Sequence, residues 1–288
     1  CIRDSSLTLP SETMSLPLSQ LLETFEELWP LSGAEEWDRP GLTTGSASQQ
    51  ISKVLLCLDV TREVLVEARS AGCELVVSHH PLLLKSVNFL TEDLLKGELV
   101  SFAVKNGMAI YSAHTNADIV VGGVSDVLAR TLGLTSIAPL VPTGSGIGHG
   151  RVGKLKISQK LSEFAEFISR QLPRTNAPIR VAGDRNLMIQ TVAVVGGAGD
   201  SFISAAAASG AQVLVTSDLR HHVTLDAISD PSAPLALIDV SHFAAESLWL
   251  EPTRKLLAEA LPQVSFEVSQ ISTDPWTMTV SGKSNSEG

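Results

Sequence analysis

The sequence predicts an α/β protein made of two similar halves with mixed, largely parallel sheets that face a common cleft. Two observations lead to this fold class. Short apolar runs of strand length alternate with amphipathic segments of helical period, which is the pattern of βαβ units. In addition, residues 71–78 (AGCELVVS) and 209–216 (SGAQVLVT) repeat one pattern, in which a helix end is followed by a glycine and an apolar strand.

The elements of the first half begin with a helix, because apolar residues recur at helical spacing from about Leu18 to Trp29 and Pro30 ends the run. The elements predicted after it are the strands Val54–Leu58, Leu75–Ser78 and Ala109–Ser112 and the helices Arg62–Ser70, Glu92–Asn106 and Gly123–Leu132. The elements predicted in the second half are the strands Lys154–Ile157, Thr191–Val195, Val213–Thr216, Leu235–Val240 and Ser265–Val268 and the helices Glu163–Gln171, Phe202–Ser209 and Phe243–Ala260.

The segment boundaries follow from these patterns. Residues 1–15 are expected to form a disordered or non-native extension, since Met14 is the first methionine and no hydrophobic pattern precedes it. The two halves are expected over 16–134 and 151–276. Residues 135–150 contain four glycines and two prolines and are predicted to be a linker loop. The polar residues 277–288 are expected to form a flexible tail.

Composition narrows the class of protein. The 288 residues carry a formal net charge of −10 and are 44% hydrophobic and 18% charged, which excludes a disordered or fibrous chain. An acidic chain of this kind has no long-range attraction to nucleic acid or to an anionic membrane, so neither is expected as a partner. Three cysteines suggest neither a disulfide framework nor a zinc knuckle, and no apolar run is long enough for a membrane span. We therefore expect a cytoplasmic location.

The first candidate site follows the strand Leu75–Ser78, where His79 and His80 precede Pro81. Adjacent side chains of a strand point to opposite sides, but a turn at Pro81 can redirect one of them. Two imidazoles could then serve two neighbouring metal ions. The alternative is a pair of hydrogen-bonded core histidines.

The second candidate site follows the strand Ala109–Ser112, in the run Ser112-Ala-His-Thr-Asn-Ala-Asp118. Asp118 can bridge two cations through its two oxygens, and His114 can hold a neighbouring ligand in place. The alternative is a turn in which Asn116 and Asp118 cap the next helix, and for an isolated motif this alternative is favoured.

The third candidate site is His242-x-x-x-Glu246, whose two side chains share one face of a helical turn. Its alternative is a helix start capped by Ser241. Four of the seven histidines lie close to predicted strand ends, and ligands gather beyond the carboxyl ends of parallel strands. Three neutral imidazoles and two carboxylates leave positive charge on two divalent ions, which suits a bridging hydroxide and an anionic substrate. The sequence therefore predicts a metal site in the cleft between the halves.

Two other features of the second half give weaker signals, and the second of them is expected near the same cleft. The run Val194-Val-Gly-Gly-Ala-Gly-Asp200 follows a predicted strand and favours a tight turn, although its glycines would also let a phosphate approach a helix N-terminus. His222, close to Asp218, could contact a substrate or act as a general acid–base, with a helix-capping role as the alternative.

Taken together, the motifs S-H-H-P, A-H-T-N-x-D and H-x-x-x-E, after Trp37-Asp38 and Gly41-Leu42, resemble the NGG-interacting-factor-three-like family. Members of this family are also named GTP cyclohydrolase I type 2 homologs. The resemblance covers about residues 16–276, corresponds to a short bacterial form and includes the late Thr273-Asp-Pro-Trp276. Three positions depart from the family pattern, since Ser241 replaces a usual glycine and Arg39-Pro40 replaces Asn-Val.

The resemblance implies two similar α/β halves around a dinuclear metal site and a ring-like homohexamer. Its metal ligands map onto His79, His80, Asp118, His242 and Glu246, with Asp118 and Glu246 as bridging carboxylates. The implied cofactors are two divalent metal ions per chain, zinc, iron or manganese.

The function implied is that of a dinuclear metal-dependent hydrolase, in which metal-activated water attacks a nucleotide or phosphorylated substrate. The candidate catalytic residues are Glu246, His222 and His114. In the cyclohydrolase version the attacked atom is C8 of guanine, although the residues themselves do not identify guanine. The alternative is a non-catalytic, metal-binding regulatory or chaperone-like protein that acts through protein partners.

Overall fold

The computed structural model describes residues 14–232 and 234–280. Residues 1–13 of the expected extension and 281–288 of the expected tail lie outside the described residues. The strands, in chain order, are β1 (Leu16–Pro17), β2 (Gly41–Thr44), β3 (Gln50–Ile51), β4 (Lys53–Cys57), β5 (Leu75–Ser78), β6 (Ala109–Ser112), β7 (Thr135–Pro142), β8 (Gly148–Lys160), β9 (Arg180–Ala182), β10 (Met188–Ala198), β11 (Val213–Ser217), β12 (Ala236–Asp239) and β13 (Ser265–Val268). The α-helices are α1 (Leu18–Leu28), α2 (Arg62–Ser70), α3 (Leu95–Lys105), α4 (Thr115–Asp118), α5 (Val124–Thr131), α6 (Leu161–Gln171), α7 (Ile203–Ala208), α8 (His221–Ser229), α9 (His242–Ser247) and α10 (Leu250–Ala260).

The first sheet has the strand order β13-β4-β5-β6-β2, in which only β2 runs antiparallel to its neighbour. Helices cover both of its faces. Val76 and Ile110 pack toward α2 and α3, whereas Leu75 and Val77 pack toward α1 and α10. Because both faces are buried, these strands are continuously apolar instead of alternating, as the sequence analysis predicted.

The second sheet has the order β7-β8-β10-β11-β12-β9. Its central strands β10, β11 and β12 are parallel, and the outer pairings are antiparallel. Val213 and Val215 of β11 pack in the cluster that contains α6, and Leu214 packs on the opposite face with Ala206 of α7. The predicted α/β class with mixed, partly parallel sheets is therefore confirmed. No helix in the described ranges combines the length and apolarity needed to cross a bilayer.

Residues 135–150 do not form the predicted linker loop. They form β7 and the start of β8, joined by a short turn in which the amide of Thr143 donates to the carbonyl of Ile147 at 3.1 Å. The sequence pattern did not indicate this strand, because clustered glycines and prolines normally mark turns and loops. Pro139 and Pro142 are compatible with β7 because it is an edge strand that pairs with β8 alone.

Two further elements of the second half differ from their predictions. Strand β13 has the predicted bounds, but it pairs with β4 of the first sheet, so the chain returns to the first half near its end. The long helix predicted over Phe243–Ala260 is divided into α9 and α10. Pro252 lies in the first turn of α10, where its missing N–H is tolerated, whereas a continuous helix would need that donor.

A buried arginine connects the second sheet to the loop behind α4. Arg151 of β8 is 1% exposed, and its guanidinium donates to the carbonyls of Ile119 and Val120 at 3.2 and 2.6 Å. It also donates to the carbonyls of Gly148 and Gly150, both at 2.7 Å, and to Asp126 at 3.4 Å. A charge can be buried here because every side of the guanidinium has an acceptor.

We expect Arg151→Met to lower the free energy of unfolding by about 3–5 kcal/mol, because it removes the guanidinium donor from Oδ1 of Asp126 and from several buried carbonyls. Arg130→Met is the matched control, since Arg130 pairs with the same Asp126 from an exposed position and should cost less than about 1 kcal/mol. Urea unfolding followed by circular dichroism measures both values. Equal losses in the two variants would contradict this account.

Candidate metal centre

Polar side chains from both sheets meet beyond the carboxyl ends of parallel strands. Two histidines directly follow β5, a third follows β6, and an aspartate ends α4. A fourth histidine and a glutamate lie one turn apart on α9, which follows β12 and is capped by Ser241, whose Oγ accepts from the amide of Ala244 at 3.2 Å. These residues, called the imidazole–carboxylate cluster below, are His79, His80, His114, Asp118, His242 and Glu246.

The carboxylate of Glu246 lies at the middle of the cluster and is 3% exposed. Its Oε1 is 3.7 Å from Nε2 of His79, which is itself 3.6 Å from Oδ1 of Asp118. Its Oε2 is 2.9 Å from Nε2 of His80 and 3.1 Å from Nε2 of His242. The two oxygens of Glu246 therefore face two different sets of possible ligands.

Each imidazole makes a hydrogen bond through Nδ1, on the ring edge that points away from the centre of the cluster. His80 contacts Asp59 Oδ1 at 2.8 Å, and His242 contacts Asp218 Oδ2 at 2.7 Å. His79 contacts the carbonyl of Ala113 at 2.8 Å. Since these oxygens accept a hydrogen bond from Nδ1–H, they direct the Nε2 lone pairs into the cluster, which is the arrangement typical of metal-binding histidines.

The polar atoms at the centre show what the cluster can bind. Within the described ranges, Nε2 of His79, Nε2 of His242, Oδ1 of Asp118 and Oε2 of Glu246 are buried and make no aligned hydrogen bond. Buried polar atoms without such a partner are rare, and four that converge need a common ligand. The candidate atoms of His80, His242 and Glu246 lie within 4.8 Å of one another. Such mixed nitrogen and oxygen donors fit a divalent cation.

Electrostatics favour positive charge at the centre. Burial opposes protonation of His80 and His242, but nearby carboxylates, Glu246 foremost, raise the pKa of His80 to about 10 and that of His242 to about 11. Burial raises the pKa of Asp118 to about 6. Burial also opposes ionisation of Glu246, yet the adjacent imidazoles lower its pKa well below the usual value. Either protons or metal ions can balance these carboxylates, so metal uptake would release protons.

His114 is held by the most buried carboxylate around the cluster. Its Nδ1 lies 2.9 Å from Oδ1 of Asp38, and Oδ2 of Asp38 accepts from the hydroxyl and the amide of Thr115 at 2.6 and 3.1 Å. Burial alone would raise the pKa of Asp38, but the hydrogen bonds from His114 and Thr115 lower it to about 2. The imidazole of His114 packs 5.2 Å from that of His79 and 5.5 Å from that of His80, centroid to centroid.

The remaining sequence candidates lie around the cluster or apart from it. Gly197, in the glycine-rich run at the end of β10, has φ +74° and lies directly against Glu246 and His242. Arg39 is exposed, and its guanidinium donates to the carbonyl of Glu36 at 2.7 Å. His222 is exposed in the first turn of α8, with its ring 5.1 Å from that of His221. The described contacts of His222 do not include the cluster, so its catalytic role stays a prediction.

Sequence reasoning missed Asp59, and it noted Asp218 only as a neighbour of His222, not as the carboxylate that holds His242. Asp59 follows β4 and Asp218 follows β11, so each lies at a strand end like the histidines themselves. Asp218 also has φ +59°, a strained conformation for a residue other than glycine, of a kind that clusters at functional sites. A search for acids as well as histidines after apolar strands would have found both residues.

An open cavity of about 1120 Å³ borders the cluster. Its lining includes His80, His242 and Asp218, the cations Arg62, Lys96 and Arg180, and the further carboxylates Asp59, Glu63, Asp239 and Asp274. Its volume is sufficient for a ligand of nucleotide size.

Known proteins resemble this chain in sequence and in fold. The family model described as Duf34/NIF3 (NGG1p interacting factor 3) matches residues 16–275. A Streptomyces coelicolor protein named GTP cyclohydrolase 1 type 2 homolog is 39% identical over 91% of this chain and 94% of its own length. A Clostridium perfringens protein of the same name is 34% identical over 91% of this chain and 99% of its own length. The crystal structure of a Bacillus cereus protein related to NIF3 superposes with a TM-score of 0.84 at 25% identity, covering 92% of this chain and 99% of that one.

We expect Gly197→Ala to reduce divalent metal binding, because an added Cβ would lie 2.4 Å from Oε1 of Glu246. Gly210→Ala is the matched control, since Gly210 has φ +77° and nothing within 4 Å of the position of the added Cβ. Both substitutions strain the backbone by about 1–2 kcal/mol, so only the contact with Glu246 distinguishes them. Elemental analysis after metal loading gives the metal content, and thermal unfolding checks the fold. Equal metal content in the two variants would refute a metal-binding role for Glu246.

Proposed function

The chain belongs to the Duf34/NIF3 family, and we propose that it is a dinuclear metal-dependent hydrolase that acts on a nucleotide or another phosphorylated substrate. The observation that carries this proposal is the position of Glu246 between two ligand sets. One oxygen faces His79 and Asp118, and the other faces His80 and His242. A carboxylate in this position is suited to bridge two cations.

The proposed metal ligands are His79, His80, Asp118, His242 and Glu246. Two bound divalent cations, of zinc, iron or manganese, would supply Lewis acidity and lower the pKa of a coordinated water. The protein's own contribution is to fix the donor atoms. Asp59 and Asp218 orient two imidazoles, and the N-cap of Ser241 fixes the first turn of α9.

His114 is the proposed general base. Its ring packs against His79 and His80. Asp38 accepts a hydrogen bond from Nδ1–H of His114 and so leaves Nε2, on the opposite edge of the ring, as the proton acceptor. A water molecule between His114 and Glu246 could pass its proton to this nitrogen as it attacks the substrate. His222 is a second candidate for a general acid or base. Because its described contacts do not include the cluster, it would have to act from outside it.

A guanine nucleotide is the proposed substrate, on the strength of the names that the relatives carry. Hydrolysis at C8 adds one water across the C8–N9 bond, breaks that bond and leaves a formamide on the opened ring. The cavity has room for a nucleotide, and its lining contains the cations Arg62, Lys96 and Arg180. To bind phosphates, Arg62 and Arg180 would exchange their ion pairs with Glu98 and Asp239 for phosphate oxygens. We further propose a cytoplasmic protein that assembles as a ring-like homohexamer. Exposed apolar side chains support a contact between chains, since Phe89 and Leu95 are 72% and 68% exposed on one segment.

We expect the purified protein to hold about two divalent ions per chain, because the cluster offers two ligand sets that share Glu246. His79→Ala and His242→Ala should each lower that number, as each removes a donor from one set. Elemental analysis of native and metal-restored protein measures it, and light scattering of the same sample tests the hexamer. Wild-type protein that takes up no divalent metal would overturn the proposal.

We expect metal-restored protein to open GTP, with the formamide product detected by mass spectrometry. Glu246→Ala should abolish turnover and lose metal. His114→Gln should retain both ions and lose about 100-fold or more in rate, because only the proton acceptor is removed. His222→Gln, with His221→Gln as its control, tests the remaining candidate. Bound metal without turnover on GTP or a panel of phosphoesters would favour a non-catalytic regulatory or chaperone-like protein.

A further inference from the structure

The segment after β13 crosses from one half of the molecule to the other. This segment, residues 269–280, is called the C-terminal strap below. At its start the amide of Gln270 donates to Oε1 of Glu67 on α2, at 2.8 Å. Farther along, the carbonyl of Trp276 accepts from Nδ2 of Asn176, between α6 and β9, at 3.0 Å. The strap contains the Thr273-Asp-Pro-Trp276 motif, to which the proposed function gives no role.

Thr273 contacts the carboxylate that orients His80. Its hydroxyl donates to Oδ2 of Asp59 at 2.5 Å, while Oδ1 of Asp59 holds Nδ1 of His80 at 2.8 Å. Asp59 is partly exposed, so without Thr273 it would lose the contact that fixes its second oxygen. The rotamer of Asp59, and through it the direction of the imidazole, depends on a residue 214 positions away in the chain.

Asp274 contacts the residue that caps α9. Its Oδ2 accepts from the hydroxyl of Ser241 at 3.3 Å, and Ser241 in turn accepts from the amide of Ala244 at 3.2 Å. The hydrogen bond therefore ties the strap to the first turn of the helix that carries His242 and Glu246. The amide of Trp276 donates to the other oxygen of Asp274 at 3.1 Å, which keeps the carboxylate in place.

Both connections lead to the same ligand set. Thr273 acts on His80, and Asp274 acts on the helix turn that presents His242, so both converge on Oε2 of Glu246. The other set is held by different groups. Nδ1 of His79 is hydrogen-bonded to the carbonyl of Ala113. The guanidinium of Arg151 donates hydrogen bonds to the loop that follows Asp118.

We propose that the C-terminal strap positions one of the two metal sites, that of His80, His242 and Glu246, more strongly than the site of His79 and Asp118, which shares only Glu246 with it. Thr273 and Asp274 are positioning residues in this arrangement. The inference rests on the proposed metal centre and adds to it that the two sites are supported by separate parts of the chain.

The test is titration of metal-free, full-length protein with Zn²⁺ by calorimetry. Thr273→Val should weaken one of two binding events about 10-fold or more, the usual effect of removing a group that orients a metal ligand, and weaken the other less. Thr273→Ser should restore the wild-type profile, because it keeps the hydroxyl. Thr277→Val is the matched control, since Thr277 is exposed on the same strap and should bind as wild type. Asp274→Ala should weaken the same event.

Double variants assign the affected site. With His80→Ala, Thr273→Val should add no further loss, whereas with His79→Ala it should still weaken the remaining site. Equal weakening of both sites, or no weakening in variants that fold as wild type, would overturn the role of the strap while leaving the metal centre intact. A wild-type chain that binds no Zn²⁺ would instead overturn the proposed function and this inference with it.

Discussion

The buried carboxylate of Glu246 is the constraint on which the site depends. Removing an ionised carboxylate from water costs several kcal/mol even after relaxation, so positive charge must lie against it. The charges that meet it here are imidazoles, one close to Oε1 and two close to Oε2. An imidazole can supply positive charge by binding a proton or can deliver it by binding a metal ion. A buried glutamate in this position therefore requires either protonated imidazoles or a metal ion beside it.

The fold satisfies this constraint by joining strand ends from two sheets. His79 and His80 come from the first sheet, whereas Glu246 belongs to a helix after a strand of the second. Close approach of the halves also requires space, and Gly197 provides it, since any Cβ there would meet the Glu246 carboxylate. The glycine at position 197, near the end of β10, is therefore explained by contact with the protein's own carboxylate and not by an approaching phosphate.

The sequence predicted the central strands well because their local pattern had one interpretation. Leu75–Ser78 and Ala109–Ser112 are short, apolar and preceded by glycine, and their observed bounds match the prediction. The hairpin at 135–150 was missed because proline is tolerated only at a sheet edge, and edge position is not a local property. The histidine motifs could be predicted because each closely follows a strand whose local pattern is clear. Asp59 and Asp218 carry the same local signal, since each follows an apolar strand. Which histidine a carboxylate contacts is not a local property, because Asp38 and His114, for example, are 76 residues apart.

The two ligand sets differ in chemistry, and the difference lies in the groups behind the histidines. The set of His80 and His242 has two imidazoles, each supported by an aspartate, which increases the basicity of the ligand nitrogen. The set of His79 has one imidazole supported by a neutral carbonyl, together with carboxylate oxygens of Asp118 and Glu246. Nitrogen-rich and oxygen-rich sites prefer different cations. The proposed centre would therefore bind two cations with unequal strength.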